Sequence, residues 1–317
     1  MLPIPKAFYA ARLLVLLSSP ALLAQEDPPL FRADTRLVVL HASVLDRSGK
    51  LITSLPREQF KVFENNQEQP LKIFRREDIP VSIGIVVDNS GSMRDKRQKV
   101  ESAAMALVKA SNPRDEVFVV NFNDEAYLDV PFTADLKKME EGLSQINSKG
   151  GTAMRDAISM SMDYVKSEGK RDKRVLVIVT DGDDTTSMGI TLEKLVEKCH
   201  KLEVVIYAIG ILGEEDKRSA GRAKRAIEAI TKASGGAAYF PNDVTNVEAL
   251  CLQVAHDIRN QYVLAYSPVN QELDGTFRSI RVTAAGGKYT VRTRTGYYAT
   301  PQPAKRSALP SPQVAGR

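Results

Sequence analysis

From residue 81 to residue 262 the chain alternates short apolar runs with longer segments whose apolar residues recur every three or four positions. The runs at 81–87, 116–122, 174–179 and 204–211 are apolar at nearly every position. A strand of this kind has no polar face to offer water, so both faces of its sheet must be covered. Helical patterns lie between them at 96–110, 136–146, 153–165, 192–202, 224–233 and 247–258. In the first of these, Val100, Ala103, Ala104, Leu107 and Val108 share one side. Regular alternation of strand and helix predicts a doubly wound α/β fold, a mostly parallel sheet between two helical layers. Residues 126–132 alternate apolar with polar and predict an edge strand antiparallel to its neighbour. Residues 238–240 predict one more short strand.

The flanks carry a different period. Residues 31–77 and 261–299 alternate in the strand manner between turn signals such as Asp46-Arg47-Ser48-Gly49 and Glu64-Asn65-Asn66. Each flank is too small to bury a core of its own. Together they reach about the size of an immunoglobulin-like sandwich. The expected architecture is therefore one small all-β sandwich, formed by 25–79 and 261–300, interrupted by an α/β domain at 80–260. Residues 301–317 are rich in Pro, Ser and Ala and are predicted to be a disordered tail.

The first 24 residues have the form of a secretory signal, with Lys6 and Arg12 ahead of an apolar stretch at 13–23 and polar residues from Gln25. Cleavage is expected after Ala24, with export to the periplasm, the cell surface or the medium. The apolar stretch is short for a bilayer span and Pro20 interrupts it, so no membrane span is expected after cleavage. The formal charge of +5 comes from the termini: once Lys6, Arg12, Lys305, Arg306 and Arg317 are set aside, 39 basic residues face 39 acidic ones. A neutral body argues against a nucleic-acid partner. The densest basic cluster, Lys217, Arg218, Arg222, Lys224 and Arg225, reads as a solvated helix start. The only cysteines, Cys199 and Cys251, read as buried free thiols or as a single bridge, and provide no disulfide framework.

Directly after the run at 81–87 come Asp88, Ser90 and Ser92 at alternate positions, with Gly91 permitting a tight turn. Two later segments fit the same site: Gly150-Gly151-Thr152 ahead of a helical pattern, and Thr180-Asp181-Gly182 after the run at 174–179. Ligands of open α/β sheets bind beyond the carboxyl ends of the strands, where Asp88 and Asp181 fall. Small hard oxygens converging on one point suit Mg²⁺, Mn²⁺ or Ca²⁺ better than zinc or copper. Taken singly, each of these residues could equally cap a helix or make a turn.

Together they resemble the metal-ion-dependent adhesion site of von Willebrand factor type A domains, in which Asp-x-Ser-x-Ser is followed by a distant Thr and a distant Asp. The resemblance covers residues 80–262, and the flanks resemble a family of secreted bacterial proteins of acidobacterial type. It implies that Asp88, Ser90, Ser92, Thr152 and Asp181 hold a divalent cation, Mg²⁺ first, with Mn²⁺ or Ca²⁺ as alternatives. It also implies that an acidic side chain of a protein partner completes the coordination. Asp156, Asp183 and Asp184 are left out of the set as solvated loop acids.

Catalysis is not expected. Ser90 has no Gly-x-Ser-x-Gly setting, residues 149–152 lack the phosphate-loop spacing, and His41, His200 and His256 fall in a strand and two helices. The expected function is a secreted, metal-dependent protein-binding module. The alternative is a structural or envelope-assembly component whose site only stabilises the fold. A chelatase-like accessory role would need an ATP-driven partner, which the export signal disfavours.

Overall fold

The structure is a computed structural model that describes residues 36–76, 78–144, 148–213 and 217–301. The expected signal at 1–24 and tail from 302 onward lie outside these residues. In chain order, β1 (Val38–Leu45), β2 (Phe60–Glu64), β3 (Gln67–Gln69) and β4 (Leu71–Arg75) come first. Then β5 (Val81–Asp88), α1 (Arg97–Lys109), β6 (Glu116–Phe122), β7 (Ala126–Thr133), α2 (Leu136–Ser144) and α3 (Met154–Glu168) follow. The α/β part continues with β8 (Lys173–Thr180), α4 (Leu192–Leu202), β9 (Val204–Gly210), α5 (Lys217–Ser234), β10 (Ala238–Tyr239) and α6 (Val247–Arg259). The chain closes with β11 (Tyr262–Tyr266), β12 (Phe277–Ala284), β13 (Thr290–Arg292) and β14 (Gly296–Tyr298). Among the described residues no helix is long and apolar enough to cross a membrane.

The six-stranded sheet has the order β10-β9-β8-β5-β6-β7, parallel throughout except for β7, which runs antiparallel to β6 at the edge. Side chains alternate between two cores. Ile83, Ile85 and Val87 of β5 face α1, α2 and α6, whereas Val86 faces the layer of α3, α4 and α5. Gly84 points to that second layer, where a Cβ would lie 2.3 Å from the Phe118 ring and 2.5 Å from Leu176. The missing side chain gives Phe118 its space, and Phe118 packs edge-on to Phe132 and Tyr164, each at 4.9 Å.

The sandwich is built from both flanks. One sheet runs β13-β1-β11-β4 and the other β14-β12-β2-β3, all antiparallel. In each, strands from before the α/β part pair with strands from after it: β1 with β11 from Val38↔Tyr266 to Ala42↔Tyr262, and β2 with β12 from Phe60↔Ala284 to Glu64↔Ile280. Leu40, Val44, Tyr262 and Leu264 of the first sheet share one core with Phe60, Val62, Val282 and Ala284 of the second. Neither flank has a core without the other, so the α/β domain is an insertion in the sandwich.

A polar seam ties sandwich to insertion. Ser43 of β1 donates to Asp257 of α6 at 2.7 Å, and Arg292 of β13 pairs with the same carboxylate. Gln261 bridges Ser43 and the Tyr207 hydroxyl. Lys173, at the start of β8, donates to the Ile258 carbonyl at 2.5 Å. Arg259 pairs with Asp78 and Asp115.

Some sequence expectations shift. The helix expected from 224 begins at Lys217, so the basic cluster is its solvated first turns. β3 and β14 were not anticipated. Cys199 and Cys251 are free and lie in the cores on opposite sides of the sheet, where burial pushes both thiols up to about 12.

Candidate metal centre

The central strand β5 has β6 on one side and β8 on the other. The chain turns one way after β5 and later returns to its opposite flank, which opens a crevice beyond the carboxyl ends of β5 and β8. Asp88 closes β5, and Asp181 directly follows β8. Three loops meet there.

The first loop leaves β5. The Asp88 carboxylate accepts the Ser90 amide at 2.9 Å, a side-chain-made turn, and its other oxygen accepts the Thr180 hydroxyl at 2.6 Å. The Asn89 amide donates to the Phe122 carbonyl at 2.7 Å, tying the loop to β6. Met93 then plunges into the core and fixes the turn that carries Ser90 and Ser92.

The second loop precedes α3. The Gly91 amide donates to the Gly150 carbonyl at 3.3 Å, and the Lys149 amide to the Asn89 carbonyl at 3.1 Å. Gly150 has φ +77°, which favours glycine, and a Cβ there would lie 2.1 Å from the Asp124 carboxylate and displace it. Asp124 accepts the Gly151 amide at 2.7 Å. Thr152 is joined to the third loop through the Thr185 hydroxyl, which accepts its amide at 3.0 Å, and through its carbonyl, which accepts the Thr185 amide at 2.9 Å. Its side chain makes no capping bond to α3, whose N-cap is Ala153.

The third loop follows β8. The Ser92 hydroxyl donates to Asp181 Oδ1 at 2.8 Å, and the Ser90 and Ser92 hydroxyls lie 3.1 Å apart. A Cβ on Gly182 would sit 3.8 Å from the Thr152 hydroxyl, which places Thr152 beside the Asp181 turn. Ser90, Ser92 and Asp181 therefore form one hydrogen-bonded array, with Asp88 beneath it and Thr152 across the loop. All but Ser92 are buried.

Two corrections concern the acids set aside as solvated. Asp184 is largely buried, pairs with Arg155 at 3.1 Å and accepts the Arg155 amide at 2.7 Å. Asp156 accepts the amides of Met188, Gly189 and Ile190. Both carboxylates are spent on lacing the third loop to α3, which keeps them out of the site for a reason other than solvation. Asp183 pairs with Arg222 at 2.5 Å.

Sequence reasoning put Thr180 in the third segment without its bond to Asp88, and missed Thr185 and Lys96. The Lys96 ammonium lies 2.5 Å from Asp181 Oδ2. One signal for it was legible: Lys96 and Arg97 open α1 with no acid in the first turn, against the preference of a helix N-terminus for negative charge.

Burial raises the Asp88 carboxyl to about 6, and the nearby Asp181 charge adds to this, while the Thr180 and Ser90 hydrogen bonds oppose it. A buried acid in that condition is stabilised by a nearby cation. The donor set is hard oxygen with two carboxylates, and one cation, that of Lys96, already reaches it. The residues fit a small divalent ion. No group of three or more His, Cys, Asp or Glu is gathered at one point among the described residues. The candidate set here is richer in hydroxyls than in charge.

The sequence model of the von Willebrand factor type A domain matches residues 83–183. Inter-alpha-trypsin inhibitor heavy chain H4 of Sus scrofa is 29% identical over 117 residues, which is 34% of this chain and 13% of that protein. Integrin alpha-11 of Mus musculus is 28% identical over 109 residues, 32% of this chain and 9% of that protein. This chain thus spans only a small fraction of the length of these relatives. Among solved structures, a von Willebrand factor type A protein from Catenulispora acidiphila superposes with a TM-score of 0.51 at 13% identity, covering 85% of this chain and 75% of that one. That share exceeds the α/β domain, so the likeness of fold reaches into the sandwich. Over residues 83–183 this chain is thus similar in sequence to von Willebrand factor type A domains, and it shares their fold.

Proposed function

We propose that this chain is an exported protein-binding module that holds a divalent cation at Asp88, Ser90, Ser92, Thr152 and Asp181 and captures an acidic side chain of a protein partner there. The observation that carries this reading is the convergence of the three loops. Residues from distant parts of the sequence meet in one oxygen-lined array at the crevice where such sheets bind ligands. A bound Mg²⁺ would supply an electrophilic position for a carboxylate. The chain's own part is to hold the donors: Asp88 through the Ser90 amide and the Thr180 hydroxyl, Asp181 through the Ser92 hydroxyl, and Thr152 through its backbone ties to Thr185. Exposed Ser92 lies at the rim, where a partner would approach. Integrin alpha-11, among the relatives, supports a role in binding rather than catalysis. Export rests on the signal-like segment at 1–24.

One observation favours a second reading. Because Lys96 already pairs with Asp181, the array could serve the fold alone, as in a structural or envelope-assembly component.

Panning a random peptide library on residues 25–317 in Mg²⁺ separates the two. Binding peptides are expected to carry Asp or Glu, to elute with EDTA and to bind Thr152→Ala about tenfold or more weakly. Enrichment without acidic residues, or retention in EDTA, would contradict the metal-dependent reading.

A further inference from the structure

We propose that Lys96 is a built-in counter-charge that lowers the cation affinity of this site and leaves the loaded site short of negative charge, so that an external carboxylate completes it. This rests on the reading above and names how that site is regulated.

Lys96 is placed rather than loosely tethered. Its amide donates to the Met93 carbonyl at 3.0 Å, and Met93 is locked in the core. Its carbonyl accepts the amides of Lys99 and Val100 at the start of α1. From that fixed backbone the ammonium reaches a carboxylate that is itself fully covered, while the lysine side chain remains 28% exposed. The two oxygens of Asp181 are divided between Ser92 and Lys96. The neighbouring bases are used elsewhere: Arg97 pairs with Glu101 at 2.5 Å, and Arg94 donates to the Ser148 carbonyl at 3.4 Å. A cation at the start of α1 also opposes the helix dipole, so Asp181 is what stabilises it there.

The charge balance gives the consequence. Asp88 and Asp181 alone would neutralise a divalent ion. With Lys96 counted, the protein contributes one net negative charge, and the loaded site carries a surplus of one positive charge. That surplus favours a carboxylate from outside. Repulsion between an ammonium and a divalent ion a few ångströms apart weakens binding by about tenfold even at the dielectric of water.

The test is titration of Mn²⁺ alone into residues 25–317, read by calorimetry and by the electron paramagnetic resonance of the bound ion. Wild type is compared with Lys96→Met, Lys96→Gln and Lys96→Arg. Gln keeps a hydrogen-bond donor for Asp181 without the charge, so it serves if Met fails to fold. Met and Gln are expected to bind Mn²⁺ about tenfold more tightly than wild type, with Arg close to wild type. Without added metal, Met is expected to melt at a lower temperature, because buried Asp181 loses its cation. Acetate added to the Mn²⁺-loaded proteins is expected to bind more weakly to Gln than to wild type. Equal Mn²⁺ affinity in wild type, Met and Gln would overturn the role of Lys96 and leave the metal reading standing. Equal acetate affinity would overturn the carboxylate half. Failure of every variant and of wild type to bind Mn²⁺ would remove the metal reading and this inference with it.

Discussion

Between about pH 7 and about pH 9 the wild-type chain is expected to gain roughly 2 kcal/mol of stability relative to Lys173→Met. Lys173 is buried at the seam, where it donates to the Ile258 carbonyl. Burial first, and then the Arg259 charge, lower its amine to about 7 against the pull of Asp257, Asp78 and Asp115. In the unfolded chain the amine keeps its ordinary, much higher value. Between the two values the unfolded state therefore binds more protons, so stability rises with pH across that window. Below about 7 the folded protein must carry the buried charge and the penalty is complete. Urea melts of both proteins at a series of pH values read the difference directly. Cys199 and Cys251, whose thiols burial pushes up, are common to both proteins and cancel. A difference that stays constant with pH would show that Lys173 is charged in the fold throughout, and that the seam is wetter than its geometry indicates.

Glu64→Ala is expected to cost about 3–5 kcal/mol. Glu64 sits inside the sandwich, accepts the hydroxyls of Tyr266 at 2.7 Å and Tyr297 at 2.8 Å, and pairs with Arg278 at 3.3 Å. Arg278 is itself buried and also donates to the carbonyls of Asn270 and Glu272. The cluster joins β2, β11, β12 and β14, strands from both flanks and both sheets. Burial pushes the Tyr297 hydroxyl up to about 12, and the bond to the Glu64 carboxylate adds to this, as expected of a phenol held as a donor. Truncating Glu64 takes the buried carboxylate from a guanidinium that keeps the Asn270 and Glu272 carbonyls and Asp274 at 3.9 Å, and leaves two phenols without their acceptor, which is costlier than never having buried the pair. Replacing Glu64 and Arg278 together by methionine is expected to recover much of the loss. Denaturant midpoints, compared at unchanged m-value, measure both effects. A Glu64→Ala cost under about 1 kcal/mol would mean that water reaches the cluster.

The α/β core was legible because its strands are apolar on both faces and its helices on one. The run at 81–87 could be nothing but a central strand, and its position in turn placed Asp88 at a strand end. The sandwich was legible from two flanks that each lacked enough apolar residues for a core. β3 was not, because Gln67-Glu68-Gln69 carries no apolar alternation. It forms because Asn65 and Asn66 both adopt positive φ and fold the chain back on β2. Within the candidate site, Asp88, Ser90, Ser92, Thr152 and Asp181 were named from spacing and resemblance. The ion pair of Lys96 with Asp181, 85 residues apart in sequence, depends on the meeting of two loops, and the basic start of α1 signals an unpaired cation without naming its partner. The structural use of Asp156 and Asp184 was hidden for the same reason: Asp156 binds the amides of a loop more than thirty residues distant, and Asp184 binds the amide and guanidinium of Arg155 in α3, partners that no local spacing marks.

The most direct test of the central claim is calorimetric titration of Mg²⁺, Mn²⁺ and Ca²⁺ into chelator-treated residues 25–317, beside Asp88→Ala. The metal-dependent reading predicts saturable binding at one site in the wild type and its loss in the variant. No binding in the wild type, or equal binding in both, would contradict it and leave the loop array as a device of the fold.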